Sequence, residues 1–357
     1  MSLSLEKQKK KEMEKINSQA WYLVKKGEAN EAFELRDFLI ESIEKDEVIV
    51  ETEGFGLNYA DIMARLGLYQ AAPPLPAVVG YEVVGKVIAV GNTESEKLVG
   101  TRVVAFCRFG GYAKHVVTTI NALIPVTDEP IGDLMALCTQ GVTAYYMASY
   151  LTPVRRGDNV LVHAAAGGVG TILIQLAKHQ GANVIAKVGS DEKVKRVLDL
   201  GADHAINYRK YPYEIEVKKH LNNEKLDVSF NPAAGSTFKK DFKLMGAGAR
   251  MILFGGSEMS SSGSGILGKL NFLRKMGLVV PAFLMMRSKN ILGVNMLDIA
   301  DQKPQVLRAC LEGILKLYRE GVVKPQIGGM YSAFDLPKAH SYMESGQSMG
   351  KLIVCWD

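Results

Sequence analysis

The segment from Val160 to Ala177 constrains this chain more than any other. It reads Val-Leu-Val-His-Ala-Ala-Ala-Gly-Gly-Val-Gly, then Thr-Ile-Leu-Ile-Gln-Leu-Ala. An apolar strand, a turn of small residues and an apolar helix succeed one another without a gap. Ala165, Gly167 and Gly170 take the three positions of a G-x-G-x-x-G pattern, with Gly168 added. Small residues let backbone approach a pyrophosphate without a Cβ clash, and the N-terminus of the helix offers unpaired N–H groups and a favourable dipole. The segment therefore predicts a dinucleotide phosphate loop at Ala166, Gly167, Gly168, Val169 and Gly170.

From the strand that leads into this loop onward, the chain repeats the alternation. Strands are expected at Asn159–His163, Asn183–Val188, His204–Asn207, Leu226–Phe230, Ala249–Phe254 and Asn290–Val294. The intervening helices are Gly168–His179, Glu192–Leu200 and Ser236–Met245. Such alternation implies a doubly wound parallel sheet, an α/β fold. The second strand bears on the cofactor. A site for NAD usually carries an acid about 20 residues after the loop, to accept hydrogen bonds from the ribose 2′-hydroxyl. Lys187, Val188, Gly189 and Ser190 stand here instead, with no acid before Asp191. Ser190, Lys193, Tyr208 and Arg209 can surround a 2′-phosphate, which favours NADPH over NADH; alternatively Ser190 only caps the next helix and Lys193 is solvated. A second phosphate-like pattern, Gly263 to Lys269, has Leu270 where a P-loop needs Ser or Thr, and reads as a loop.

Ahead of this region the texture differs. Short β-type runs at Ala20–Val24, Glu47–Thr52, Val83–Val90, Arg102–Phe106 and Tyr112–Val117 are punctuated by Gly and Pro, as in a compact β-rich domain. A β-type tail at Leu352–Cys355 matches that texture, preceded by an amphipathic helix at Gln305–Arg319. The expected organisation is a polar, helical or frayed leader over 1–19, a β-rich domain over 20–138, a nucleotide domain over 139–298, and a return to the first domain over 299–357, with the active cleft between the two.

Composition excludes several other classes. Forty-three basic against 38 acidic residues give +5 over 357 positions, too little for a nucleic-acid partner. Cys107, Cys138, Cys310 and Cys355 show no CxxC spacing, against a zinc ribbon or disulfide framework, and the N-terminus is charged where a signal peptide needs an apolar core; a cytoplasmic home is expected. The apolar run Met276–Met286 falls short of the roughly 20 residues that span a bilayer. The stretch Ile266–Met286, apolar but studded with Lys269, Arg274 and Lys275, has three readings: a flap over the cleft, a peripheral membrane or partner contact, or a helix packed on its own domain.

Several further motifs carry a resemblance. Gly56-Leu-Asn58-Tyr-Ala-Asp61, Gly67-Leu-Tyr69, Pro76-Ala-Val-Val-Gly80-Tyr-Glu82, Gly110-Gly-Tyr112-Ala113, Gln140-Gly-Val-Thr143-Ala-Tyr145 and Gly350-Lys351, together with the phosphate loop, are similar to the medium-chain dehydrogenase/reductase superfamily. Within it the chain resembles the zinc-free quinone oxidoreductases, and in its later part the vesicle amine transport protein-like subgroup. The resemblance covers about residues 20 to 357. It implies a GroES-like catalytic domain into which a Rossmann domain is inserted, and a homodimer through the last Rossmann strand, near Ile291–Met296. It also implies that Gly189, Ser190, Lys193 and Tyr208 clamp a 2′-phosphate, that Asn58 and Thr143 lie near the nicotinamide, and that Phe254 and Gly255 end a strand under the cofactor. Where zinc alcohol dehydrogenases carry a histidine ligand this chain has Tyr81, and no cysteine precedes Arg102. Glu82 alone cannot hold a catalytic zinc, which needs three protein ligands; no zinc is expected.

The implied activity is NADPH-dependent hydride transfer to a quinone or an α,β-unsaturated carbonyl. Negative charge then builds on the remote carbonyl oxygen, which needs a hydrogen-bond donor and finally a proton. Asn58 is a candidate donor, Tyr69 the first candidate proton source and Tyr59 the second. Asp61 is expected to fix local backbone or a nearby cation, and His163 and His115 to be structural. A catalytically weak, cofactor-binding adaptor at a membrane or protein complex is the alternative.

Overall fold

The computed structural model describes residues 11–261 and 266–356. Residues 1–10 of the expected leader, and Gly263, Ser264 and Gly265 of the P-loop-like pattern, lie outside them. The chain forms two compact units. The first runs to Thr139 and takes back Gly329–Gln347 and the end of the chain from Leu352; the second comprises Gln140–Gly328 and Ser348–Lys351.

In chain order the strands of the first unit are β1 (Lys11–Leu23), β2 (Phe33–Ile43), β3 (Glu47–Leu57), β4 (Ala77–Val78), β5 (Glu82–Val90), β6 (Arg102–Phe106), β7 (His115–Thr119) and β8 (Leu123–Pro125). Residues 11–19 are thus strand and not a helical leader. β1 pairs antiparallel with β2 from Lys11 opposite Ile43 to Leu23 opposite Phe33. The period of two is masked in sequence because the inward positions are Ile16, Ser18 and Ala20 amid charged neighbours. Those charges are matched across the strands, as in Lys15–Glu41 at 2.7 Å. A second sheet runs β15-β16-β3-β5-β6-β8, with β7 also on β3; its last members are β15 (Ile327–Ser332) and β16 (Lys351–Cys355). Phe55, Leu57, Ile62, Val83, Val87 and Tyr112 form its core.

The second unit holds a six-stranded sheet of order β11-β10-β9-β12-β13-β14, made of β9 (Asn159–Val162), β10 (Asn183–Val188), β11 (His204–Asn207), β12 (Leu226–Asn231), β13 (Met245–Leu253) and β14 (Asn290–Gly293). Every pair in it is parallel. The order reverses beside β9, the topological switch point at which such sheets bind ligands. Helices Gly168–His179, Asp191–Asp199, Tyr213–His220 and Gly235–Leu244 connect these strands. Residues 299–328, expected in the returning catalytic domain, stay with this unit instead. The helix Pro304–Arg319 buries Val306, Leu307, Cys310, Leu311, Ile314 and Leu315, and Gly313 lies so close to Tyr145 that a Cβ would meet its ring at 2.5 Å.

Ile266–Met286 is two helices, Ile266–Met276 and Pro281–Met286. Leu270, Leu273, Phe283, Met285 and Met286 on them, and Leu278 between them, are largely exposed. Among the described residues no helix is long and apolar enough to cross a membrane.

Candidate functional site

The phosphate loop leaves β9 at Val162. The His163 N–H donates to the Phe230 carbonyl (3.0 Å), and Ala164 adopts φ 47° to turn the chain. The Gly167 N–H closes the turn on the Ala164 carbonyl (2.9 Å), and Gly167 then caps the helix that starts at Gly168. The N–H groups of the first helical turn have no partner within the helix. Two glycines stand in tight places, Gly170 against backbone and Gly168 against a side chain. A Cβ at Gly170 would lie 2.5 Å from the Ala164 carbonyl oxygen, and one at Gly168 would lie 1.6 Å from Gln140 Oε1. That Gln140 oxygen is buried and, among the described residues, accepts no hydrogen bond. A glycine cradle with helix N–H groups and an orphaned acceptor beside it fits a dinucleotide pyrophosphate and its sugars. Ala166, Gly167, Gly168, Val169 and Gly170 all lie on this loop. Thr143, in the short helix Val142–Tyr145, is buried.

Beyond β10, Ser190 caps the helix Asp191–Asp199, its hydroxyl accepting from the Lys193 N–H at 3.3 Å. Tyr208 packs over Gly189, where a Cβ would meet its hydroxyl at 3.2 Å, and is itself 46% exposed. Lys193 donates to the Ser348 carbonyl (2.9 Å); burial and the nearby Arg209 push its pKa down. Gly189, Ser190, Lys193, Tyr208 and Arg209 therefore gather at one end of β10. Asp191, the first acid after the strand, is neutralised by Lys210 and bonded by Asn207 at 2.7 Å. Phe254 follows β13 half-buried, and Gly255 passes so close to Pro232 that a Cβ would meet its carbonyl oxygen at 2.8 Å.

Beneath this end of the sheet lies a polar network that the sequence pattern did not disclose. Asp241 is fully buried and accepts from Ser229 (2.7 Å), Asn231 (2.8 Å) and Tyr213 (2.8 Å), and pairs with His163 Nε2 (2.8 Å). Burial acts to raise its pKa, but these partners outweigh burial and hold it low. Lys187 is 9% exposed and bonds His163 Nδ1 at 3.3 Å. One signal is visible: a lysine inside the otherwise apolar run Val184–Val188 needs a buried partner.

In the first unit, Asn58 begins the helix Tyr59–Arg65 and forms a reciprocal cap with Asp61, whose carboxylate accepts from the Asn58 N–H at 2.8 Å. Asp61 thus fixes local backbone, as expected. Asn58 Nδ2 donates to Glu82 Oε1 (2.8 Å), and the other oxygen of Glu82 accepts from the Thr139 N–H. Tyr59 is 38% exposed on the first turn of the helix. Tyr69 is half-buried, its ring edge-on to that of Tyr81 with centroids 6.5 Å apart. The Tyr81 hydroxyl is buried, and burial first, then the neighbouring Asp61 and Tyr69, raises its pKa. Both oxygens of Glu82 are engaged by N–H donors, and among the described residues no three His, Cys, Asp or Glu side chains gather. This donor set does not fit zinc.

Comparison with known proteins adds three kinds of likeness. A family model described as "Zinc-binding dehydrogenase" matches residues 168–312, and one described as "Alcohol dehydrogenase GroES-like domain" matches 44–128. The chain is 29% identical over 316 residues to the zebrafish (Danio rerio) synaptic vesicle membrane protein VAT-1 homolog, covering 88% of this chain but only 65% of that protein's length. It is 27% identical over 328 residues to human quinone oxidoreductase, covering 91% of this chain and 94% of that one. The crystal structure of Escherichia coli quinone oxidoreductase complexed with NADPH superposes with a TM-score of 0.82 at 25% identity, covering 94% of this chain and 99% of that one.

Proposed function

The chain belongs to the medium-chain dehydrogenase/reductase superfamily, in the branch of the quinone oxidoreductases and VAT-1-like proteins, and from that premise we propose that it is an NADPH-dependent, zinc-independent oxidoreductase acting on quinones or α,β-unsaturated carbonyls. The observation that carries this reading is the glycine-walled loop at the sheet's switch point, joined at the end of β10 by Ser190, Lys193, Tyr208 and Arg209, with the nearest acid, Asp191, already neutralised. The NADPH bound in the E. coli quinone oxidoreductase supports it.

Ala166 to Gly170 would hold the pyrophosphate, and Gly189, Ser190, Lys193 and Tyr208 the 2′-phosphate; Thr143, Phe254 and Gly255 complete the proposed cofactor set. The bound cofactor would supply hydride to an electron-poor double bond. Asn58 is the proposed donor to the carbonyl oxygen of the acceptor, Tyr69 the proton source and Tyr59 its substitute. No step is routed through a metal.

Steady-state oxidation of NADPH with a panel of quinones and enones tests the proposal: saturable, enzyme-dependent turnover is expected, and its absence from every acceptor would reject it. Tyr69→Phe should lower turnover with enones at least a hundredfold, the scale of lost general-acid catalysis, while NADPH affinity holds; unchanged turnover removes Tyr69 from the mechanism.

One observation favours a second reading. The exposed apolar side chains between Leu270 and Met286, with Arg274 and Lys275 among them and Arg287 just after, suit a peripheral membrane or partner contact, as an adaptor would need. Tight NADPH binding without turnover would favour that reading. A cytoplasmic, homodimeric protein is the state we propose for either.

A further inference from the structure

The buried network under β10 ends at the proposed cofactor site. Gly189 follows the end of β10, two residues or about 6.6 Å of extended chain beyond Lys187, and stands where a dinucleotide site meets the ribose 2′-position. The Lys187 ammonium lies 4.6 Å from the ring centre of Tyr208, the residue packed over Gly189, and 4.5 Å from that of Tyr213. Its other partner is His163.

The partners fix the charges. A carboxylate only accepts and an ammonium only donates, so His163 is neutral, donating from Nε2 to Asp241 and accepting at Nδ1 from Lys187. The titratable and charged groups that face Lys187 come from several elements: the helix Tyr213–His220 brings Tyr213 and Glu214, the helix Gly235–Leu244 brings Lys240 and Asp241, the helix Ser257–Ser261 brings Glu258, the turn after β9 brings His163, and the turn after β11 brings Tyr208. Glu214 is paired with Lys240 at 2.9 Å and Glu258 with Lys275 at 2.7 Å. Asp241 is left as the charge that balances Lys187, through the imidazole.

We propose that Lys187 is a positioning and specificity-determining residue of the dinucleotide site: the Asp241–His163 pair holds its ammonium behind Tyr208, where it steadies the ring over Gly189 and favours a 2′-phosphorylated ribose over an unphosphorylated one. The inference rests on the cofactor reading above and deepens it. It also makes the preference depend on pH. Burial is the main cause that lowers the Lys187 pKa to about 8, partly offset by Asp241. The cation, and the preference, are present below that value and fade above it. The 2′-phosphate itself completes its ionisation near pH 6, below this window.

The test is fluorescence titration of the full chain with NADPH and with NADH between pH 6.5 and 9.5. For the wild type the ratio of the two affinities should fall roughly threefold to tenfold through pH about 8, the size of one charge acting across a short gap at protein-like dielectric. Lys187→Met should start at the lower ratio and show no step there. Lys187→Arg, whose guanidinium does not titrate in this range, should keep a high ratio that is flat with pH; it carries the test alone if the Met variant does not fold. A ratio and step that survive in Lys187→Met would overturn the inference and assign the step to Lys193, while leaving NADPH as cofactor. A step retained in Lys187→Arg would overturn it as well. Failure of the wild type to bind either dinucleotide would overturn both readings.

Discussion

Gly168 and Gly170 share one loop, yet a methyl group meets different things at the two. At Gly170 it meets backbone, the Ala164 carbonyl oxygen at 2.5 Å and Ala165 Cα at 2.7 Å, and nothing there can yield without unmaking the turn. At Gly168 it meets the far end of the Gln140 side chain, which can rotate. Gly170→Ala should therefore cost about 1–3 kcal/mol in urea unfolding, the usual penalty of overpacking. Gly168→Ala should stay within about 1 kcal/mol of the wild type in the same assay. Its effect should appear in the dissociation constant for NADPH, because the methyl and the displaced Gln140 occupy the loop. Equal loss of stability in the two variants would show that the Gln140 contact is as rigid as the backbone.

At the scale of elements, the six-stranded sheet ends on β14, and among the described residues its outer edge has no neighbour in the sheet order. An edge strand exposes a row of unpaired N–H and C=O groups, which proteins cover or pair. We propose that β14 meets the same strand of a second copy. Sedimentation equilibrium should then give twice the chain mass at micromolar concentration, and Leu292→Pro, which removes a strand N–H, should return the monomer. A wild-type monomer would exclude the pairing. The helix Tyr59–Arg65 shows how an element can be missed: its Asn58–Asp61 cap is a recognisable start signal, but the element has only seven residues, too few to show a period. β1 was hidden for a different reason, since charged residues on its outward positions obscure an alternation whose inward side is part polar.

At the scale of the molecule, the first unit is closed by a segment that returns from far along the chain. Trp21 Nε1 donates to the Ala333 carbonyl at 2.8 Å, Arg65 pairs with Glu344, and Tyr112 meets His340 Nε2 at 3.0 Å. His340 is fully buried; burial first, then the neighbouring Arg65, lowers its pKa to about 3. Between that value and the ordinary 6.5, the unfolded chain binds a proton that the folded chain refuses. Stability should thus fall as pH drops from about 6.5 towards 3, by about 1.4 kcal/mol per pH unit for this one group. Urea unfolding measured across that range should give an acid limb flatter by about one proton in His340→Asn. An unchanged slope would mean that other groups govern the acid transition.

What is local or periodic was legible in the order of the residues. The helix Gly168–His179 and the strands Asn183–Val188 and His204–Asn207 fall where the sequence pattern puts them, because alternation of apolar residues and the small residues of a turn act over a few positions. The same local chemistry marked the phosphate loop and the missing acid after β10. The company of the buried polar groups came from the folded chain alone: Asp241 with His163 across 78 positions, Glu82 with Asn58 across 24, Gln140 against Gly168. The folded chain also decided that the helix Pro304–Arg319 stays with the nucleotide unit. Hydrophobic burial is non-directional and leaves a periodic trace in sequence, whereas a buried charge is stable only beside one particular partner, and the distance along the chain to that partner is set by the topology of the sheet.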